Sequence, residues 1–249
     1  MKKIEKELLK HILKIDSVQL MLLEKIPKQA KETLKILLNR YNKGEPLEYI
    51  TNEVNFMGLD FFVDRNVLIP RQETELLVAE VLNYANEESE ILDVCTGSGC
   101  ILISILKLEN CIGTGIDISA KALQVAKKNA LKHGVKAEFI KGDMLNGIKK
   151  KYDIIVSNPP YIETEEIDSL ENSVKNYEPF IALDGGDDGL VYYRKIRNSF
   201  LLNLKPKGIL FLEIGYNQGA AIKEIFKDFD IEIKKDYSGH DRIATIKMN

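Results

Sequence analysis

The residues best suited to chemistry follow an apolar run, in the sequence Ser-Asn-Pro-Pro-Tyr-Ile at positions 157–162. Proline has no backbone N–H, so Pro159 and Pro160 end a strand and hold the chain rigid. The carboxyl end of a strand is where α/β proteins bind their ligands. The Asn158 side-chain oxygen and the Pro159 carbonyl can each accept an N–H, and Tyr161 can stack on a planar group. We therefore predict a site that orients a planar NH₂ group, with these four residues as its catalytic and substrate-binding set.

A second candidate site is the sequence Asp-Val-Cys-Thr-Gly-Ser-Gly at positions 93–99, which links an apolar strand to a helix. Glycines let the backbone approach a ligand closely, and the first turn of the helix offers free N–H groups. Asp117 ends the next predicted strand, 18 positions after Gly99 (117 − 99), where folds of this kind hold a ribose diol. The combination predicts a bound nucleoside cofactor.

The chemistry of this turn favours S-adenosylmethionine over a dinucleotide, although a dinucleotide site stays open. A dinucleotide site uses a third glycine to bring helix against strand, and Cys100 and Ile101 occupy that region. The Asp93 carboxylate would repel a pyrophosphate but attracts the positively charged methyl donor. After the third predicted strand, Asp143 could accept from an adenine amino group and Met144 could lie against the ring.

Strands and helices must position these residues, and the hydrophobic pattern predicts them. Apolar residues at helical spacing, followed by a break at 44–46, predict a small helical domain over residues 1–43 for partner recognition. Apolar segments on either side of Gly58 predict a β-hairpin within a linker over residues 44–72. Over residues 73–249, alternating strands and helices predict a doubly wound, Rossmann-like α/β sheet. A short turn before the last strand makes that strand antiparallel.

Composition argues against several other classes of protein. The net charge of −3 disfavours a protein whose main partner is bare nucleic acid. Three cysteines without a Cys-x-x-Cys pair and three scattered histidines predict neither disulfides nor a metal site, which suits a reducing cytoplasm. Charges interrupt every apolar run in residues 1–26, so we expect no signal peptide and no membrane span.

Five segments together resemble the peptide chain release factor glutamine N5-methyltransferases, which are S-adenosylmethionine-dependent class I methyltransferases. The resemblance runs from about Gly44 to the C-terminus. It implies S-adenosylmethionine as donor, S-adenosylhomocysteine as product and the glutamine of a release factor's Gly-Gly-Gln loop as acceptor. It implies no metal, and we expect a monomer without a direct nucleic-acid partner. The segments are Leu68-Ile-Pro-Arg-Gln-Glu-Thr-Glu75, Asp93-Val-Cys-Thr-Gly-Ser-Gly99, Asn158-Pro-Pro-Tyr161, Tyr177-Glu-Pro-Phe-Ile-Ala-Leu-Asp-Gly-Gly186 and Leu212-Glu-Ile-Gly215.

The predicted cofactor contacts combine this resemblance with the arguments above. Cys95 departs from the family, which usually has glycine there, and a positive φ would strain a residue that carries a Cβ. We expect Cys95 and Cys100 to be structural, because methyl transfer needs no covalent enzyme intermediate. The predicted contacts are Asp93, Cys95, Thr96, Gly97, Ser98, Gly99, Asp117, Asp143, Met144 and Asn158.

Other functions remain open at this point. A glutamine methyltransferase that acts on a ribosomal protein would use the same site. A DNA adenine-N6 methyltransferase also holds a planar NH₂ group, but it must flip its base and grip phosphates with a basic region, which the net charge of −3 disfavours. A non-catalytic cofactor-binding module is least favoured, because the stretch 158–161 is intact. The roles of Arg71 and Glu213 are left open.

Overall fold

The protein begins with four helices, and the computed structural model describes residues 2–248. The first helix buries Leu8 and Leu9 on one face, as the apolar spacing predicts. Asp16 caps the second helix by accepting the Gln19 backbone N–H at 2.8 Å. The third helix starts directly after Pro27. The helices are α1 Lys3–Leu13, α2 Ser17–Leu22, α3 Lys28–Asn42 and α4 Leu47–Thr51.

The predicted β-hairpin follows the helices. Its strands, β1 (Glu53–Phe56) and β2 (Leu59–Phe62), pair antiparallel. Met57 and Gly58 both have positive φ, 51° and 73°, which is the two-residue turn geometry that matches the twist of the strands. The Glu75 carboxylate of α5 (Gln72–Leu82) accepts the Met57 N–H at 2.8 Å, so this helix holds the turn in place.

The rest of the described chain alternates strands with helices and forms one seven-stranded sheet. Its elements are β3 Glu90–Val94, α6 Cys100–Glu109, β4 Ile112–Asp117, α7 Ala120–His133, β5 Ala137–Lys141, β6 Tyr152–Ser157, α8 Asn172–Lys175, α9 Val191–Asn203, β7 Leu204–Glu213, α10 Gly219–Ile225, β8 Asp230–Lys235 and β9 Asp241–Lys247. The strand order is β5-β4-β3-β6-β7-β9-β8. Pairing is parallel from β5 to β7, and β9 runs antiparallel to both of its neighbours, as predicted for the last strand.

Helices cover both faces of this sheet. Helices α5, α6 and α7 pack on one face, where Leu77 and Leu102 are fully buried. Helices α9 and α10 pack on the other, where Phe200 and Phe226 meet edge to face with 5.8 Å between ring centroids. Each such side chain contributes about 1.5–3 kcal/mol by leaving water. Within residues 2–248, no helix has the length and apolar character to cross a membrane.

The strand order puts the switch point of the sheet between β3 and β6. From β3 the chain builds outward through β4 and β5, then returns to the other side of β3 with β6 and β7. Open α/β sheets bind ligands in the crevice at the carboxyl ends of such strands. The Ser157 hydroxyl donates to the Val94 carbonyl at 2.6 Å and so ties the two strand ends together. Both candidate sites of the sequence lie at this crevice.

Candidate active site

The turn after β3 is tightly bent, and its last residue, Gly99, has no room for a side chain. Cys95, Gly97 and Gly99 have φ values of 62°, 54° and 80°. A Cβ on Gly99 would lie 2.9 Å from the Ile103 side chain and 3.2 Å from that of Ala126, so glycine is what lets α6 approach α7. The close approach fixes where the N-terminus of α6 points, and the first two residues of the helix, Cys100 and Ile101, line the crevice.

Asp117, at the end of β4, holds the turn and still has capacity to accept further hydrogen bonds. Its Oδ2 accepts the Gly97 N–H at 2.9 Å and its Oδ1 accepts the Ser119 N–H at 2.8 Å. A carboxylate offers about four acceptor positions, so two remain after these bonds. Burial raises the pKa of Asp117, and the two backbone N–H groups counteract the shift. The arrangement suits a ligand that presents two hydroxyl groups.

Asp93 lies beneath the turn instead of facing the crevice. It is fully buried, and its Oδ2 accepts the Thr96 hydroxyl at 2.6 Å. Burial raises the pKa of Asp93 to about 7, with a smaller contribution from the charge of Asp117. The carboxyl group therefore positions Thr96, and direct contact between Asp93 and a cofactor stays a prediction from sequence.

One cavity joins the two candidate sites. It opens between the turn after β3 and the end of β6 and is closed by segments from residues 66–74, residues 179–182 and the first turns of α9. From the predicted set, its wall includes Cys95, Thr96, Gly97, Ser98, Asp117, Asp143, Met144, Asn158 and Pro160. The predicted residues that do not line it are Asp93, Gly99, Pro159 and Tyr161.

Several wall residues were not predicted from the sequence. Leu68, Arg71 and Thr74 belong to a segment that the family resemblance singled out, so a local signal existed for them. Tyr192 and Lys195 come from the exposed turns of an ordinary amphipathic helix, which carries no such signal. The Lys195 ammonium lies 3.5 Å from a carboxylate oxygen of Asp143, the residue predicted to face adenine.

The Asn158 side chain is hydrogen-bonded to a residue of α5. Its Nδ2 donates to the Thr74 hydroxyl oxygen at 3.3 Å. Thr74 is buried and also lines the cavity. Asn158 also lines the cavity, and its side-chain oxygen is able to accept an N–H.

Tyr161 faces away from the cavity. Its hydroxyl points at the Glu213 carboxylate, 3.5 Å away, and burial raises the pKa of this phenol. Gln218 donates to the Tyr161 carbonyl at 3.0 Å. A Cβ on Gly189 would lie 2.4 Å from the same carbonyl oxygen, so glycine is needed for the backbones to come this close. The segment that contains Gly189 therefore supports the stretch 158–161. Stacking of Tyr161 on an acceptor stays a prediction.

An ion pair joins two of the motif segments that line the cavity. The Glu178 side chain is 1% exposed, and it accepts from Arg71 Nη2 at 2.5 Å and from the Ile69 N–H at 3.2 Å. Burial raises the pKa of Glu178, whereas the Arg71 guanidinium lowers it. Arg71 is the N-cap residue of α5 and makes no side-chain cap hydrogen bond; its guanidinium instead pairs with Glu178, a role that the sequence left open.

Comparison with known proteins agrees with this geometry. A family model described as "Methyltransferase small domain" matches residues 72–202, and one described as "PrmC N-terminal domain" matches residues 6–51. A release factor glutamine methyltransferase of Thermodesulfovibrio yellowstonii is 42% identical, over 98% of this chain and 91% of that protein. Another, from Clostridium acetobutylicum, is 43% identical over 83% of this chain and 76% of that protein. The chain belongs to the release factor glutamine methyltransferase family.

The fold agrees with membership of this family. A methyltransferase structure from Pyrococcus furiosus matches with a TM-score of 0.58 and 17% identity, over 88% of this chain and 98% of that chain. At this identity the likeness concerns the fold alone. It confirms the predicted Rossmann-like sheet, and the pairing of β9 with β7 and β8 confirms the antiparallel last strand.

The departure of Cys95 from the glycine usual in this family has a visible consequence. Its φ of 62° is the left-handed conformation that costs a residue with a Cβ about 1–2 kcal/mol. Its sulfur contacts the Met144 sulfur at 3.7 Å. Burial raises the pKa of Cys95 and takes that of Cys100 to about 12, so both are neutral thiols near pH 7. Among residues 2–248, no group of three His, Cys, Asp or Glu side chains is arranged to hold a metal ion.

Proposed function

We propose that this chain transfers a methyl group from S-adenosylmethionine to the side-chain amide nitrogen, N5, of the glutamine in the Gly-Gly-Gln motif of peptide chain release factors. The observation that carries the proposal is the shared cavity, in which Asn158 and Pro160 lie opposite Asp117 and the turn after β3. Relatives over 40% identical across most of the chain are named for glutamine methylation of release factors.

The residues of the cavity fit S-adenosylmethionine. Asp117 keeps free acceptor positions for the ribose hydroxyls, and Cys100 and Ile101 at the start of α6 line the same cavity. Ile118 and Met144 offer apolar surface for an adenine ring, with Asp143 at its edge. When bound, the cofactor supplies an electrophilic methyl group on a sulfonium. We assign to this site the predicted contacts 95–99, Asp117, Asp143, Met144 and Asn158, with Asp93 acting through Thr96.

The other half of the cavity would hold the glutamine amide. An amide nitrogen is a weak nucleophile because its lone pair is delocalised into the carbonyl, so positioning is the main contribution available. We propose that the Asn158 side-chain oxygen accepts one N–H and that the carbonyl of Pro159, the residue between the wall residues Asn158 and Pro160, accepts the other, so that the nitrogen is directed at the methyl group. These neutral oxygens also stabilise the positive charge that develops on nitrogen. Pro159 and Pro160 keep the acceptors still, and the proton leaves to water.

The remaining parts of the chain have proposed roles that follow from this reaction. We assign partner recognition to the helical region 1–43 and catalysis to residues 73–249. Residues 44–72 form the linker between them. The family model over residues 6–51 supports a separate role for the N-terminal region. We further propose that the enzyme acts as a monomer in the cytoplasm, where release factors work, and that it contacts its protein substrate without nucleic acid.

The decisive experiment uses purified protein, S-adenosylmethionine labelled in the methyl group, and a purified release factor. A matched release factor carries alanine in place of the Gly-Gly-Gln glutamine. We expect label on the first factor and none on the second. Equal label on both would refute the proposed acceptor residue. No label on either, with cofactor bound, would refute the release factor as substrate and make a ribosomal protein, duplex DNA and a non-catalytic role the next hypotheses to test.

A further inference from the structure

A buried glutamine in the turn after β7 makes hydrogen bonds to three separate parts of the chain. Gln218 is 8% exposed. Its Nε2 donates to the Tyr161 carbonyl at 3.0 Å and to the Gly189 carbonyl at 3.3 Å. Its Oε1 accepts the Gly215 N–H at 2.9 Å. One side chain, which we call the Gln218 clamp, therefore links the stretch that ends at Tyr161, the segment that contains Gly189 and the turn between β7 and α10.

The three partners of the clamp require an amide. A carbonyl oxygen can only accept and a backbone N–H can only donate, so the side chain must offer two hydrogens and one acceptor oxygen. The amide of Gln218 offers all three, and its partners fix which end faces which. A carboxylate has no hydrogen to give, and a hydrocarbon side chain has neither donor nor acceptor. Either would leave buried backbone groups without a partner, which proteins avoid.

The backbones around the clamp come too close together for side chains. A Cβ on Gly189 would lie 2.7 Å from Gln218 Nε2, and a Cβ on Gly215 would lie 2.9 Å from Gln218 Oε1. Real Cβ atoms do not approach other atoms so closely, so glycine at both positions lets the amide reach its partners. The clamp therefore depends on two glycines that are far apart in the sequence.

The clamp holds the far end of the proposed acceptor stretch. The near end is fixed by the pairing of β6 with β3 and by the Ser157 hydroxyl, which donates to the Val94 carbonyl at 2.6 Å. Between the ends lie Pro159 and Pro160, whose rings restrict φ. A short, stiff segment with both ends fixed has few alternative paths. Holding the Tyr161 carbonyl therefore also holds the carbonyl of Pro159, which we assigned to the acceptor amide.

We propose that Gln218 is a positioning residue of the acceptor site, which fixes the Asn158 side chain and the Pro159 carbonyl by holding Tyr161. Gln218 is not among the described residues that line the cavity, so it acts through the residues that do. Its other carbonyl partner, Gly189, directly precedes α9, whose first turns line the cavity. The consequence for turnover rests on the proposed function, whereas the rigidity of the stretch is a property of the protein itself.

The first test measures the clamp without a release factor. Hydrogen exchange is followed by mass spectrometry in the full-length protein saturated with S-adenosylhomocysteine. Gln218→Met keeps the size of the side chain and removes both donor hydrogens. We expect exchange to become about fivefold faster in peptides over residues 161–167 and 184–191, and to change by less than about twofold over residues 95–105. Unchanged exchange in the first two peptides would overturn the proposal.

Asn203→Leu is the matched control. Asn203 is also a buried amide, and its Nδ2 donates to two backbone carbonyls, those of Ile148 at 2.8 Å and Lys150 at 3.0 Å. These carbonyls precede β6, at the end of the strand opposite to the cavity. The control therefore removes similar hydrogen bonds from a different place. Losses that both variants share reflect general stability, and losses confined to Gln218→Met reflect the acceptor site.

The second test measures turnover on the release factor at a temperature where every variant is folded. We expect Gln218→Met to lower kcat roughly ten- to hundredfold, because small misplacements of the acceptor are costly. The Kd of S-adenosylhomocysteine should change by less than about threefold, because the clamp holds only the acceptor half of the cavity. Asn203→Leu should keep kcat within about threefold of the wild type. Equal losses of kcat in the two variants would refute a positioning role.

Gln218→Glu separates the two ends of the amide. Its carboxyl group keeps an oxygen for the Gly215 N–H, and it can donate to the Tyr161 carbonyl only while it is protonated. We expect kcat of this variant, relative to the wild type, to fall as pH rises. Glu213 and Asp241, which lie on neighbouring elements, are the same in both proteins, so their titration affects both. A wild-type kcat at every pH would show that the donor end is not needed and would overturn the proposal.

The tests separate this inference from the proposed function. Faster local exchange in Gln218→Met, without methylation of a release factor by the wild type, would leave the clamp standing and refute the substrate. Methylation by the wild type together with an unchanged kcat in Gln218→Met would support the function and refute the positioning role.

Discussion

The ion pair between Arg71 and Glu178 is the contact whose loss should be easiest to measure. Replacing Arg71 with methionine keeps most of the apolar stem and removes the guanidinium. Glu178, with a side chain 1% exposed, would then keep, among residues 2–248, only the Ile69 N–H as a hydrogen-bond partner. A buried carboxylate without its counter-charge is strongly destabilising, so Arg71→Met should weaken the fold as well as the cavity wall.

The expected magnitude follows from the exposure of the two partners. Breaking a fully buried pair costs about 3–5 kcal/mol, whereas an exposed pair is worth about 0–1 kcal/mol. Glu178 belongs to the first class, but the Arg71 side chain is 36% exposed and partly screened by water. We expect Arg71→Met to lower the free energy of unfolding by about 2–3 kcal/mol above neutral pH, between those limits.

The loss of stability in Arg71→Met should depend on pH, in a direction set by the pKa of Glu178. Burial already raises the pKa of Glu178 and Arg71 lowers it, so the variant should have a still higher pKa at Glu178. A carboxyl group whose pKa is raised on folding holds its proton more tightly in the native state than in the unfolded state. The native state therefore loses stability as pH rises through the raised pKa, and it regains that stability at lower pH. The difference between variant and wild type should therefore shrink in mildly acidic buffer.

Urea unfolding at mildly acidic and at alkaline pH tests both statements. Arg65→Met is the matched control: Arg65 is 59% exposed, and its partner Glu45 keeps a second ion pair with Arg40. Adding Glu178→Gln to Arg71→Met removes the buried charge and should restore part of the lost stability. The reasoning is refuted if Arg71→Met costs no more than Arg65→Met, or if its cost is the same at both pH values.

Three further predictions concern the cavity and its supports. Asn158→Ala should lower kcat about 100-fold or more, with the affinity for S-adenosylhomocysteine in calorimetry changed by less than about threefold; equal losses would contradict its role as an acceptor. Cys95→Gly should raise the free energy of unfolding by about 0.5–1 kcal/mol, because relief of the left-handed strain exceeds the added freedom of the unfolded chain; lower stability in urea would contradict this. Gly189→Ala should cost more than about 3 kcal/mol and most of the turnover, since its Cβ would meet the Tyr161 carbonyl oxygen. Its control is Gly147→Ala, which also has positive φ but has open space around it and should cost only about 1 kcal/mol.

Local features of this protein could be predicted from the sequence because they depend on neighbouring residues. Two prolines end β6 wherever that strand lies, since neither can donate to a ladder. The hairpin at Gly58, the alternation of strands and helices and the acidic end of β4 at Asp117 follow from patterns a few residues long. Because ligands bind at the carboxyl ends of parallel strands, the turn after β3 and the stretch 158–161 are expected to lie close together.

Other features were decided only by the tertiary structure, because they join residues that are far apart in the chain. Thr74 meets Asn158 across 84 positions, and Arg71 meets Glu178 across 107. No local pattern records such pairs, which depend on strand order and on how α5 packs against the sheet. The same is true of Asp93: its residue type suggested a cofactor contact, but the side chain turns beneath Thr96. Burial is a property of the folded whole, and it is burial that brings the carboxyl groups of Asp93 and Glu213 to a pKa of about 7.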